Sequence, residues 1–397
     1  MNRNKTFSHR RWVFTLLFLV VSAIGLVVLV NAITDPYAVL RSDRSLHYQE
    51  PNQRFLKIRH LLAQKDRYDS FLFGSSRALH IDTRAIRDGK YYNLGTSEGI
   101  PQEHLQHIEF LLQNGIRVRN VLVALDDFSY RLYPEQHLND LLRQPHYRVS
   151  GKPWPQFYAE YLVRSKRFFP TIRDYWKANY TKAGRAAAER HVYDILGTGC
   201  LFCAECDREI DLHPAAHDRD PRFLRPMIYY SENNMESTLA SLKALVELAR
   251  KDNIHLTFFI NPIHRTSYLG TNLPLFFEFK RRLAELTGYW DFSGLNSITT
   301  NNYYFYESSH FRDRVGDMML SRMFGYPKVR VPGDFGDYVT SDTVEAHIRA
   351  QRAEIAKARA NVGAAVPGEA TFRLKQTADR AILDLQSTGA RSCPKNP

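Results

Sequence analysis

Hydrophobic and polar positions along this chain follow two rhythms. Short unbroken apolar runs stop at glycine, asparagine or aspartate, and between them lie longer stretches with apolar residues at helical spacing. The first run, residues 70–73, ends in Gly74-Ser75-Ser76-Arg77, and a helix-compatible stretch follows from Ala78. A second, Tyr91-Tyr92-Asn93-Leu94-Gly95, enters a turn punctuated by Gly99 and Pro101. The third, residues 121–125, stops at Asp126-Asp127. The fourth, residues 254–260, ends at Asn261-Pro262-Ile263-His264, and residues 289–292 form a last short extended piece.

The intervening stretches read as helices. Residues 103–114 carry Leu105, Ile108, Leu111 and Leu112 on one stripe, with Gly115 where a C′ glycine belongs. Asn233-Asn234-Met235-Glu236 has capping-box spacing and opens a helix with Leu239, Leu242, Leu245, Val246 and Ala249 on one side. Further helices are expected over about 275–286 and near 313–323. Buried-strand runs alternating with such helices predict an α/β domain, doubly wound around a mainly parallel sheet with right-handed crossovers.

Three segments fall outside this rhythm. Residues 12–33 contain no charge, and 22 residues of helix span ~33 Å, enough for a ~30 Å hydrocarbon core. Arg3, Lys5, Arg10 and Arg11 precede the run and Asp35 follows it. The positive-inside rule then keeps the N-terminus cytoplasmic and puts the main domain on the extracytoplasmic side of the inner membrane, in the periplasm. Val30-Asn31-Ala32 resembles a signal-peptide cleavage site, but the run exceeds a ~7–15 residue signal core, so an uncleaved anchor is preferred. Residues 34–69 read as a juxtamembrane linker. Residues 132–227 read as a largely helical insertion, rich in aromatic and basic residues, in the α/β domain of residues 70–330. It serves either as a lid or acceptor groove or as a satellite core. Residues 331–397 carry one helix at about 343–360 and end in a stretch, from Gln386, expected to be disordered.

With 397 residues the chain can bury a full core. Its net charge of +12 points to an anionic partner or a membrane surface. No zinc-finger, helix-turn-helix or RNP pattern accompanies the charge, so nucleic acid is disfavoured. A phosphate-handling enzyme lacks its Gly-rich loop or carboxylate cluster. Four cysteines are too few for a disulfide scaffold. Cys200, Cys203 and Cys206 admit a disulfide, with Cys393 as a further partner, a metal site completed by His213 or His217, or free thiols. His264 reads as a residue lining the sheet edge.

Ser76 follows a strand, where the carboxyl ends of parallel sheets place reactive groups and where its own N–H could serve an oxyanion. A serine there is also a favoured helix N-cap. Far downstream, Tyr306-Glu307-Ser308-Ser309-His310 sets a carboxylate three residues ahead of a histidine, a spacing that lets the carboxylate fix the imidazole tautomer. Asp126 and Asp127 would cap the following helix or hold Arg77.

In this order the blocks resemble those of SGNH (GDSL-type) hydrolases and acyltransferases in their membrane-anchored, cell-envelope form. Gly74-Ser75-Ser76 is similar to the family's Gly-Asp-Ser block, Asn93-Leu94-Gly95 through Gly99 to its Asn/Gly oxyanion turn, and Glu307-Ser308-Ser309-His310 to its Asp-x-x-His block. The resemblance implies a three-layer, flavodoxin-like sheet and a Ser76-His310-Glu307 triad. Asn93, Gly95, Gly99 and Arg77 would then serve the oxyanion or substrate, with no cofactor or metal. It departs from the pattern where an oxyanion Asn is usual, because Asp126 and Asp127 stand there and a carboxylate cannot donate. Chains of this kind resemble D-alanyl-transfer and alginate O-acetylation proteins. The implied partners are cell-envelope polysaccharide and a membrane-bound O-acyltransferase. Two functions are expected: an acyltransferase or esterase, and a catalytically silent module that binds polysaccharide or scaffolds a membrane complex.

Overall fold

All five expected apolar runs pair into one sheet in the computed structural model, which describes residues 9–41, 47–165, 167–229, 233–327 and 329–365. The main sheet begins with β1 (Ser70–Phe73), β2 (Tyr91–Asn93) and β3 (Asn120–Leu125). A separate antiparallel ribbon joins β4 (Val192–Tyr193) to β5 (Leu201–Phe202). The main sheet is completed by β6 (His255–Ile260), β7 (Tyr289–Asp291) and β8 (Asp337–Val339). Its order is β2-β1-β3-β6-β7-β8, parallel except at the β7–β8 edge. The chain leaves β1 to one side for β2 and to the other for β3, so the winding reverses beside β1. Open α/β sheets form their crevice at such a reversal.

Helix α1 (His9–Thr34) is long and apolar enough to cross a membrane, and its most apolar window is not buried by the protein. Next come α2 (Gln53–Ala63) and α3 (Pro101–Gln113), the latter closed by Gly115 at φ +73° as its spacing predicts. The insertion holds α4 (Pro134–Leu138), α5 (Tyr147–Ser150), α6 (Trp154–Val163), α7 (Phe168–Tyr180) and α8 (Lys182–Glu189). Beyond β5 it continues with α9 (Ala204–Leu212) and α10 (Pro214–Asp218). The sheet is then flanked by α11 (Met235–Lys251), α12 (Arg265–Gly270), α13 (Leu273–Leu286) and α14 (Asp313–Phe324). Leu72, Leu122 and Phe259 of the strands pack with Val315, Met319 and Leu320 of α14 in the principal core.

The polypeptide divides into two compact units, residues 1–344 and 345–397; the described part of the second is a helix, α15 (Val344–Ala365). The stretch from Gln386 lies outside the described residues.

Three local expectations are corrected. Residues 34–69 are not merely a linker, because α2 is buried: Phe55 and Leu56 join Phe157 and Tyr161 of α6 in a satellite core. Its polar residues find buried partners, Arg54 pairing with Glu103 at 2.7 Å while His137 meets the same carboxylate at 2.7 Å. The capping box does not form. Asn234 is the cap residue, but its side chain donates to the Leu132 carbonyl, and Glu236 pairs with Arg282 instead. Finally, β8 draws part of the expected tail into the sheet, as a three-residue edge strand too short to show a period.

Candidate active site

Strand β1 is buried along its whole length and delivers the chain to Gly74 at the rim of the sheet. A Cβ on Gly74 would sit 2.7 Å from the Cβ atoms of both Ala124 and Ala78, so only glycine lets the turn pass between β3 and the following short 3-10 helix, Ser76–His80. The cap of that helix is Ser75, not Ser76: the buried Ser75 Oγ accepts the Arg77 N–H at 3.2 Å. Ser76 therefore occupies the first helical position, half-buried, with its hydroxyl uncommitted to the backbone. Its N–H has no acceptor among the described residues, as expected of a first-turn amide.

The Ser76 Oγ lies 2.8 Å from His310 Nε2. His310 sits on a turn closed by an antiparallel bridge between Phe305 and Phe311. Its Nδ1 is 2.5 Å from Glu307 Oε1. That carboxylate also accepts the backbone N–H of His310 at Oε1 and of Ser309 at Oε2, each at 2.8 Å. Burial by itself would raise the Glu307 carboxyl, but the His310 ring and the N–H donors of the turn outweigh it and hold the group below its ordinary value. An ionised Glu307 fixes the proton on Nδ1 and leaves Nε2 to accept from Ser76.

The loop is braced from the insertion. Asp207 of α9 accepts from Arg312 Nε at 2.5 Å and from the Tyr306 hydroxyl at 2.9 Å, and Asp211 accepts from Arg312 Nη2 at 2.9 Å. Tyr306 and Arg312 flank the Glu307–His310 turn on both sides. Ser267 of α12 donates to the Ser308 carbonyl at 2.7 Å.

Arg77 ties the two halves of the site together. Its Nε donates to the Ser309 carbonyl at 3.1 Å, and its Nη1 reaches Asp126 at 2.8 Å and Asp127 at 2.9 Å. All three side chains are buried. Burial opposes the guanidinium charge, but the two carboxylates more than offset it and raise its pKa. Of the two roles open to Asp126 and Asp127, holding Arg77 is therefore the one the structure shows. Arg77 is a structural tie here rather than a free substrate contact.

The oxyanion turn differs from expectation. The Gly95 N–H donates to Asn93 Oδ1 at 2.8 Å and the Gly99 N–H to the Thr96 carbonyl at 3.1 Å. The Asn93 amide is buried and donates to the Ala78 carbonyl at 2.8 Å. None of the three is a free donor. The glycines give closeness instead: a Cβ on Gly99 would stand 2.2 Å from the Gly74 carbonyl oxygen, and one on Gly95 3.3 Å from that of Ser75. The turn packs directly behind the serine.

Sequence reading passed over several residues here. Lys57 of α2 is fully buried and donates to the carbonyls of Asn93, Gly95 and Gly199 at 3.0, 2.6 and 2.6 Å. Burial pushes its ammonium down to about 7, opposed only in part by Cys200 and Asp194. Asn261 ends β6 as Ser76 follows β1, but its side chain donates to Asp126 at 3.1 Å. His80 pairs with Asp313 at 3.0 Å, its ring 6.1 Å from that of His310. Strand-end position signalled Asn261; nothing local signalled Lys57.

The cysteine alternatives narrow. Cys203 and Cys206 form a disulfide, Cys200 is a buried free thiol, and Cys393 lies outside the described residues. His191 lies close to both disulfide sulfurs. His217 bonds the Phe305 carbonyl at 2.8 Å, which takes it away from the cysteines. His264 does not line the rim: it is fully buried, pairs with Asn302 at 2.9 Å and caps α12.

No protein-family model matches this chain, and no curated protein sequence matches it.

Proposed function

We propose that this protein is a membrane-anchored serine acyltransferase or esterase of the SGNH type, acting on O-acyl groups of cell-envelope polysaccharide from the extracytoplasmic side. The observation that carries the reading is the continuous relay from Ser76 Oγ through His310 to Glu307. In the first step His310 Nε2 takes the Ser76 proton as Oγ bonds to the acyl carbonyl carbon, and the leaving oxygen recovers that proton as its bond breaks. In the second, a sugar hydroxyl or water gives its proton to His310 as its oxygen bonds to the acyl carbon, and His310 passes that proton to Ser76 Oγ as the acyl–Oγ bond breaks, restoring the serine hydroxyl. The Ser76 N–H is the amide offered to the oxyanion.

The basic residues ahead of the uncharged run at 12–33 favour a cytoplasmic N-terminus. A membrane-bound O-acyltransferase is the partner that would supply acyl groups to such a site. The groove beside Asp313, of about 620 Å³ and lined by Asp207, Asp211, Arg208 and Phe202, carries more acid than base. An anionic glycan would therefore approach from another side.

A second reading, a catalytically silent module that binds polysaccharide or scaffolds a membrane complex, is favoured by the engaged amides of Gly95 and Gly99 and by the carboxylates at 126 and 127. A serine-directed fluorophosphonate separates the two. The catalytic reading expects wild-type protein to be labelled and Ser76→Ala not; equal labelling of both leaves the silent module.

A further inference from the structure

We infer that α7 is an interfacial helix that lays an aromatic stripe into the bilayer surface beside the anchor. Helix α7 meets the protein through Thr171 and Ala178, which are buried. Phe169, Ile172, Trp176 and Tyr180 are 80, 37, 56 and 70% exposed. At 100° per residue these four fall within about 80° of one another, roughly opposite the buried pair. An apolar stripe facing away from its own core is one that another phase covers.

The occupant follows from where α1 ends. Twenty residues of helix cross ~30 Å of hydrocarbon, so a span entered at Trp12 leaves near Asn31. Asn31 is where α1 becomes buried against the domain, its side chain donating to the Leu162 carbonyl at 2.8 Å and the Arg164 carbonyl at 3.3 Å, at the end of α6. Four positions after Arg164, at Phe168, α7 begins, preceded in sequence by Lys166 and Arg167. The Tyr48 hydroxyl donates to the Thr34 carbonyl at 3.0 Å, and its ring packs edge-on against Tyr175 of α7, 5.6 Å between centroids. The stripe is thereby held at the depth where the anchor leaves the hydrocarbon. Tryptophan and tyrosine favour that layer, having apolar rings with one polar edge. Exposed Lys177 on α7 and Lys182 and Arg185 on α8 sit next to the stripe in sequence and suit lipid phosphates. This inference rests on α1 spanning a membrane and is independent of the chemistry at Ser76.

The test uses the full chain in vesicles of phosphatidylcholine brominated in its acyl chains, mixed with phosphatidylglycerol. Subtracting Trp176→Phe from wild-type emission isolates Trp176; the same subtraction with Trp12→Phe isolates the anchor. The expected result is quenching of both signals by brominated lipid, about twofold or more for Trp176, with aqueous acrylamide quenching it little. Quenching of Trp12 without Trp176 overturns the inference while leaving the anchor in place. In that case, acrylamide access to Trp176 assigns the stripe to water. Protection from acrylamide, with brominated lipid still without effect on Trp176, assigns it to a protein surface. Because Trp176 is exposed, its replacement leaves the core intact; unchanged circular dichroism checks this.

Discussion

Ser76 Oγ and His310 Nε2 stand 2.8 Å apart although 234 positions separate them in the chain. If the pair is catalytic, the rate of fluorophosphonate labelling should vanish in Ser76→Ala and fall by about a hundredfold or more in His310→Gln. Both variants should keep the wild-type unfolding midpoint within experimental error, since neither side chain is in the core. Unchanged labelling of His310→Gln would separate the two residues functionally.

Glu307 gives a pH test whose sign is set by the structure. Its carboxyl is held below the ordinary 4.5, so the folded state keeps it ionised at pH values where an unfolded glutamate takes up a proton. The stability advantage of wild type over Glu307→Gln should be fully present above pH 4.5. It should shrink as the pH falls through the folded-state value. Urea unfolding of the two proteins at stepwise lower pH measures it, and a gap that widens on acidification contradicts the reading. The same substitution should slow labelling by about a thousandfold or more, because the imidazole loses the acceptor that fixes its tautomer.

Arg77→Met removes one cation shared by two buried carboxylates. Leaving both uncompensated should cost about 3–5 kcal/mol of folding free energy. Adding Asp126→Asn and Asp127→Asn to the same chain should recover most of it, which urea unfolding of the single variant and the triple variant would show.

Lys57→Met leaves the carbonyls of Asn93, Gly95 and Gly199 without their donor. Unmet acceptors cost about 1–3 kcal/mol each when buried, so a loss of at least a few kcal/mol is expected. Faster amide exchange should be confined first to the 93–99 turn. Exchange unaltered there would mean that the turn is held by other bonds.

The Cys203–Cys206 bridge closes a short loop at the start of α9, the helix whose Asp207 holds Tyr306 and Arg312. Replacing both cysteines by serine should cost about 2 kcal/mol on loop-closure grounds. Labelling at Ser76 should also slow, through looser support of the His310 turn. An unchanged labelling rate would limit the bridge to stability.

Strands and their ends were legible in the sequence because burial on both faces writes continuous apolar runs, and glycine or aspartate stops them. The same local logic gave the helix stripes of α3 and α11, the apolar α1 and the spacing of Glu307 to His310, a three-residue turn that needs no distant partner. It failed where a residue's role depends on what folds against it. Arg54 and Lys57 look like linker polarity, yet they are buried because α3, α4 and the 93–99 turn bring acceptors to them. Asn233 to Glu236 carry a capping spacing, yet Asn233 accepts the Met235 N–H while Leu132 claims the Asn234 side chain and Arg282 claims Glu236.

By itself, then, the sequence determined that an α/β sheet with one long apolar N-terminal helix would form, and that its first strand would end in a Gly-Ser-Ser-Arg turn. Tertiary structure alone decided that Ser75 rather than Ser76 caps the helix, that Gly95 and Gly99 contribute closeness instead of donors, and that Asp126 and Asp127 neutralise Arg77. The reason is physical. Periodicity records only whether a position faces the core, whereas a hydrogen bond or ion pair depends on the one partner that the folded chain brings within about 3 Å.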